Sequence, residues 1–236
     1  MQVTKAKAAG ALRWLGLLGR RAQLEGEVVV VSPHMDDAVL SLGAAISRAA
    51  RRGARVTILT VLAGDPSSKA TAGEWDRACG FGTAGEAATA RRAEDAAACA
   101  HLGATSVWLP YSDHQYERGG ADDEIRAAVV EAVGSSLPLL PGYPLGHEDH
   151  RWLHEVLEPG FEPGRRGFYL EQPYAAMHGA EPPDGGWRPL GATLGDQRRK
   201  LSACRAYASQ QEPLGRPLAS IFRYEIVRGG EWAVLP

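Results

Sequence analysis

Residues 28–40 read Val28-Val-Val-Val-Ser-Pro-His-Met-Asp-Asp-Ala-Val-Leu40. Four consecutive β-branched residues without a polar interruption match a strand buried on both faces, as in parallel sheets covered by helices. The run ends at Ser32-Pro33, and a helical spacing follows in Val39, Leu42, Ile46 and Ala49, stopping at Gly53. Between strand and helix stand a histidine and two adjacent aspartates, polar groups that are costly to place where a hydrophobic pattern has just ended.

Outward from this stretch the pattern repeats. Arg55–Leu62 is the next expected strand, and Gly64–Thr89 an expected long loop with a helical turn around Trp75. Long loops in compact domains often cover a site. Ala90–Leu102 is an expected helix closed by Gly103, and Ser106–Leu109 a third strand. A helix over Asp122–Val133 carries its acidic residues in the first turn, where the macrodipole favours them. Leu137–Leu140 is a fourth strand, although Pro138 cannot donate to a ladder. A helix over His147–Leu157, a strand over Gly167–Leu170 and a helix over Leu194–Ala208 follow, with late strands over Arg223–Val227 and Trp232–Leu235. Alternating strands and helices predict an α/β fold: a Rossmann-like open, mostly parallel sheet with helices on both faces. A single domain over 27–236 is expected, preceded by a leader or helix over 1–26.

Composition excludes several classes of function. The chain of 236 residues has a net charge of -2, so no basic field points to nucleic acid or to an anionic membrane. No apolar run approaches the roughly 20 residues of a membrane span. Arg13 splits the short apolar stretch near the N-terminus, which makes a poor signal peptide. Cys79, Cys99 and Cys204 are odd in number and far apart, against a disulfide framework or a thiolate zinc site. A reducing, cytoplasmic location is expected.

In open α/β sheets, ligands sit beyond the carboxyl ends of the strands. The polar clusters fall there: His34-Met-Asp36-Asp37 after the first strand, Asp113-His114 after the third, and His147-Glu-Asp149-His150 after the fourth. Imidazoles and carboxylates are zinc ligands, and a catalytic zinc keeps three protein ligands and one open position. His34 and Asp37, three residues apart, suit one face of a first helical turn, and His150 supplies a third ligand from another loop. Asp36 is then left as a base. Each residue also has a plainer reading. The aspartates can cap a helix N-terminus, His34 can be a structural hydrogen-bonding histidine, and His154 competes with His150 as a ligand. Two clusters at two strand ends favour the metal.

Ser-Pro-His-Met-Asp-Asp after a valine strand and Gly-His-Glu-Asp-His later resemble the PIG-L/LmbE-like superfamily of zinc-dependent de-N-acetylases. The likeness runs from about residue 27 to 225 and includes Arg91–Gly103, Pro144-Leu-Gly-His147, Glu171-Gln-Pro-Tyr174 and Ala206-Tyr-Ala-Ser-Gln210. The resemblance implies Zn2+ held by His34, Asp37 and His150. It implies Asp36 as general base, His147 as the partner of the tetrahedral intermediate, and Asp149 as the group that orients it. Arg91 and Asp113 are implied near the sugar. Met35 and Ala38 depart from the commoner residues at their positions without touching a proposed ligand. The implied activity is removal of an N-acetyl or similar acyl group from a small amino-sugar substrate, the leaving amine taking its proton from Asp36 or His147. The alternatives are an amidase of a non-sugar amide and a non-catalytic, metal-stabilised sugar-binding protein.

Overall fold

The computed structural model describes residues 21–213 and 217–236. The expected leader therefore lies outside the described residues over 1–20. Ala22 already bridges to Leu190, and Leu24 is buried in the core.

Seven strands form one sheet: β1 (Glu27–Ser32), β2 (Arg55–Thr60), β3 (Thr105–Trp108), β4 (Leu137–Tyr143), β5 (Gly167–Leu170), β6 (Arg188–Pro189) and β7 (Trp232–Val234), in the order β3-β2-β1-β4-β5-β7-β6. The first five are parallel, while β7 runs antiparallel to both β5 and β6. Eight α-helices stand among the described residues: α1 (Asp37–Arg51), α2 (Glu74–Ala78), α3 (Ala84–Leu102), α4 (Asp122–Val133), α5 (Glu148–Leu157), α6 (Tyr174–His178), α7 (Leu194–Ala206) and α8 (Leu218–Arg228).

The valine run is the centre of this sheet because both its faces are covered. Val28 and Val30 join a core with α1, α3 and α7. Val29 and Val31 join a second core with α4 and α5. Each such side chain contributes about 1.5–3 kcal/mol on burial, so four in succession favour a central strand over an edge. From β1 the chain steps to β2 on one side and later returns to β4 on the other. The crevice outside β1 and β4 is thus the topological switch point, where such sheets bind ligands.

Local chemistry explains the element ends. Thr83 and Glu86 form a capping box that starts α3 six residues before the expected position, shortening the expected loop, and Gly103 ends it at φ 75°. Within that former loop, α2 supplies the turn expected around Trp75. Strand β4 keeps both Pro138 and Pro141, and its register with β5 shifts between Pro141 and Tyr143, an irregularity that tolerates proline. One expectation is overturned: residues 223–227 are not a strand but lie in α8. The alternation of Tyr224, Ile226 and their neighbours is outweighed by Ile221, Tyr224 and Glu225, buried at helical spacing between Pro217 and a left-handed Gly229.

Candidate active site

The loop after β1 is knotted by Ser32, whose hydroxyl donates to the His34 carbonyl and accepts the Ala38 N–H at 3.0 Å. Asp36 occupies the cap position of α1 without capping it through its side chain. Asp37 accepts the His34 N–H at 2.8 Å. Both aspartates line the main cavity, but only Asp37, 4% exposed, is bonded to the His34 and His150 rings.

Beside the Asp37 carboxylate the second cluster arrives from β4 and the start of α5. Asp37 Oδ2 lies 3.2 Å from His34 Nδ1 and 3.1 Å from His150 Nε2, and the two nitrogens lie 3.2 Å apart. Ligand atoms of a tetrahedral zinc stand about 3.3 Å from one another, so these three atoms fit one face of such a site. A wider group of His34, His147 and His150 also offers ligand atoms within 4.8 Å of one another. The outer ring nitrogens of the two close histidines are both tied to buried carboxylates. His34 Nε2 lies 3.0 Å from Asp149 Oδ2, and His150 Nδ1 lies 2.6 Å from Glu171 Oε1. Such partners fix the tautomer and leave the inner nitrogen as a lone pair.

Electrostatics agree with that donor set. Burial alone would lower both imidazoles, but Asp149 and Asp37 outweigh it and raise His34 well above its ordinary value. Burial likewise opposes, and Asp37 and Glu171 overcome it, to bring His150 to about 9. Burial pushes Asp37 upward, yet the His150 and His34 rings hold it far below the usual carboxylate range. The same excess of carboxylate charge that favours imidazolium favours a dication. Asp36 goes the other way: burial and the neighbouring Asp37 push it up to about 7.

The remaining expected residues are partly gathered here. His147 lines the cavity, pushed down to about 4 by burial and by His34 and His150. Its Nδ1 accepts the Asp149 backbone N–H at 3.2 Å, whereas the Asp149 carboxylate is 3.8 Å away. That carboxylate serves His34 and, at 3.0 Å, His114 Nδ1, while Arg118 holds its other oxygen at 2.8 Å and stacks on Trp152. Arg91 lines the cavity but ion-pairs with Asp76 at 2.6 Å. Asp113 also lines it, accepting from Gln115 N and Nε2. His154 is turned away, bonded to the Pro141 carbonyl at 2.8 Å. Sequence reasoning assigned no role to His114, Arg118, Glu171 or Tyr174, whose ring stands edge-on to His150 at 5.2 Å. Only the quoted Glu171–Tyr174 motif and the position of His114 at a strand end carried a signal for them.

The cavity over this cluster measures about 700 Å³ and is lined also by Leu62, Trp75, Ala78, Tyr207 and Gln210. A parallel sheet with a His/Asp cluster beneath a cavity at its switch point defines an α/β enzyme with a candidate divalent-metal centre. The family model PIG-L, described as GlcNAc-PI de-N-acetylase, matches residues 29–159, more than half of the chain, and the protein belongs to that family. Its fold is shared with the A40926 pseudoaglycone deacetylase at 28% identity and a TM-score of 0.67, over 84% of this chain and 87% of that one. A triple mutant of a deacetylase of the teicoplanin biosynthetic pathway aligns at 25% identity and a TM-score of 0.72, over 88% and 96% of the two chains. The zinc-inhibited form of a teicoplanin deacetylase shares the fold at 23% identity and a TM-score of 0.69, over 88% and 98%. No curated protein matches the chain by sequence. The protein is a hydrolytic enzyme of the N-deacetylase class. Among the described residues no helix is long and apolar enough to cross a membrane.

Proposed function

We propose that the protein hydrolyses the acetamide of an amino sugar, with zinc held by His34, Asp37 and His150. The triangle of ligand atoms 3.1–3.2 Å apart, with Asp36 beside it on the cavity, carries this reading. When bound, zinc supplies Lewis acidity toward the amide carbonyl and toward water. Asp36 takes the proton of the attacking water, the positive charge of a bound metal beside it keeping its carboxylate ionised for that role. His147, its Nδ1 filled by the Asp149 N–H, carries the proton of its neutral ring on Nε2, a donor for the carbonyl oxygen as charge develops there. A fixed donor of this kind contributes roughly 3–4 kcal/mol to the transition state. Asp36 then passes its proton to the departing amine.

The substrate is an N-acetylated amino sugar or a larger molecule bearing one, since the cavity of about 700 Å³ suits drug-sized ligands. The similar A40926 pseudoaglycone deacetylase and the deacetylase of the teicoplanin biosynthetic pathway support the larger kind. Asp113 accepts sugar hydroxyls, Trp75 offers a flat apolar face, and Arg91 acts through its pair with Asp76. Three free cysteines support a cytoplasmic location.

Replacement of Asp36 tests the mechanism. Asp36→Asn binds zinc as the wild type does, while amine release from N-acetylglucosamine conjugates falls about 10²–10⁴-fold. Full turnover by a zinc-loaded Asp36→Asn protein excludes the assignment. Zinc binding with no amine release from any N-acetylated sugar favours a sugar-binding protein instead.

A further inference from the structure

We infer that Gln115 is a positioning residue for the sugar: one end of its amide fixes Asp113 and the other fixes the segment carrying Trp75, so that one side chain sets two of the walls against which the sugar binds. The inference deepens the reading above and rests on Asp113 as an acceptor of sugar hydroxyls. Gln115 Nε2 donates to Asp113 Oδ2 at 3.0 Å, and the Gln115 backbone N–H donates to Asp113 Oδ1 at 3.0 Å. Both carboxylate oxygens are thus held, and each keeps a further acceptor site for a ligand. At its other end Gln115 Oε1 accepts the Trp75 backbone N–H at 2.7 Å. A backbone N–H only donates and a carboxylate only accepts, so a single orientation of the amide serves both contacts.

The Trp75 segment depends on this support. Helix α2 is five residues long, and its cap residue Gly73 has no side chain to satisfy the free N–H groups of the first turn. The loop after β3 supplies what Gly73 lacks. Gln115 takes the Trp75 N–H, and the Tyr116 hydroxyl takes the Gly73 N–H at 2.7 Å while donating to Asp76 Oδ2 at 2.5 Å. Glycine at 73 is also what admits Gln115, because a Cβ there would stand 2.5 Å from Gln115 Oε1 and 2.9 Å from its Cβ. The Trp75 indole is tied in turn to Gln210 Oε1 at 2.9 Å.

Asp113, Gln115 and Trp75 all line the main cavity. None of the three is a proposed metal ligand or proton-transfer group, so their placement acts on binding and leaves the chemical step to the residues around His34. Replacement of Gln115 by glutamate separates its two ends. The new carboxylate still accepts the Trp75 N–H, but it cannot donate to Asp113 and sets two like charges against each other.

The test is calorimetric titration of the zinc-loaded full chain with methyl glucosaminide, an amine of the kind that hydrolysis would leave. Gln115→Glu is expected to bind it about tenfold more weakly, the worth of one hydrogen bond to a charged group. In amine release from N-acetylglucosamine conjugates, KM rises by that factor while kcat and zinc per chain stay at wild-type values. Asp113→Asn in the same chain exchanges donor and acceptor, and the double variant is expected to bind more tightly than Gln115→Glu alone, a rescue that a general loss of structure does not give. Unchanged binding and KM in Gln115→Glu overturn the proposal. So does a fall in kcat accompanied by loss of zinc, which would place the effect at the metal, and so does a double variant no tighter than the single one. A wild type that binds no amino sugar overturns the sugar reading and the proposal together. If the binding changes appear as expected but no amine is released from any N-acetylated sugar, the deacetylase reading fails and the role of Gln115 stands.

Discussion

The phenol oxygen of Tyr207 lies 2.6 Å from Asp95 Oδ1 and 2.6 Å from the carbonyl oxygen of Met35. A phenol has one proton to donate, so both contacts are hydrogen bonds only if the carboxyl itself carries a proton. Asp95 is fully buried, and burial raises it to about 6 despite the bonds from Tyr207 and from Trp108 Nε1. Below about pH 6 Asp95 is neutral and donates to Tyr207, which then donates to the carbonyl of Met35, the residue between His34 and Asp36. The loop that carries the candidate ligands is braced from behind by a proton.

A carboxyl whose folded pKa exceeds its unfolded value stabilises the fold fully below the unfolded pKa, near 4. That stability is lost as pH rises through the folded value, near 6. Asp95→Asn imitates the protonated acid, donating to Tyr207 from its amide and accepting from Trp108. Urea unfolding is expected to show wild type losing on the order of 2–3 kcal/mol between pH 4 and pH 7 relative to Asp95→Asn. Parallel stability curves for the two proteins across that range exclude a proton at Asp95.

Glu171 makes a different contribution. Its carboxylate accepts from His150 Nδ1 at 2.6 Å and from the Leu145 N–H at 2.9 Å, with Leu145 held at a φ of 53°. Glutamine has one acceptor oxygen for these two donors, so Glu171→Gln loosens either the ring or the loop. Outer partners of metal-binding histidines are typically worth about 10–100-fold in affinity. Competition with a chromogenic chelator is expected to show Glu171→Gln binding zinc more weakly by that factor, with turnover restored at high metal. An unchanged affinity shows that Glu171 only shapes the loop.

Much of this arrangement was legible in local patterns. Val28–Val31 specified a central strand because burial on both faces leaves no alternation. Once β1 and β4 are neighbours in a parallel sheet, the loops carrying His34, Asp37 and His150 must meet. What the pattern did not carry was direction. Whether the Asp149 carboxylate faces His147 or His34 is decided by a rotamer and by Arg118, a loop residue without periodic signal. Likewise residues 223–227 alternate in polarity over too few positions to separate a strand from a helix, and the packing of Ile221 and Glu225 decides. Trp108, Asp95 and Tyr207 come from three separate segments, so their shared proton is a property of the packed chain alone.

Lys200 ties the opposite end of this framework to α1. It is fully buried, and its ammonium lies against Glu225 and, at 2.7 Å, against Glu231. Glu231 also accepts the backbone N–H groups of Ala44 and Ala45 in the middle of α1. Gly43 permits this approach, because a Cβ there would stand 2.8 Å from Lys200 Cγ. Burial opposes the lysine charge, but the two carboxylates outweigh it and raise its pKa, so the stabilisation persists at every pH below about 10.4 and is lost above the folded value. Lys200→Met removes the ammonium that compensates the buried Glu231 and is expected to cost roughly 3–5 kcal/mol. Glu231→Gln in the same chain removes one of the two buried carboxylate charges that Lys200 faced and should recover part of that loss. A double-mutant cycle by urea unfolding measures the coupling, expected at about 1–3 kcal/mol; strictly additive effects would show that the two groups act independently and that α1 is held by its apolar packing alone.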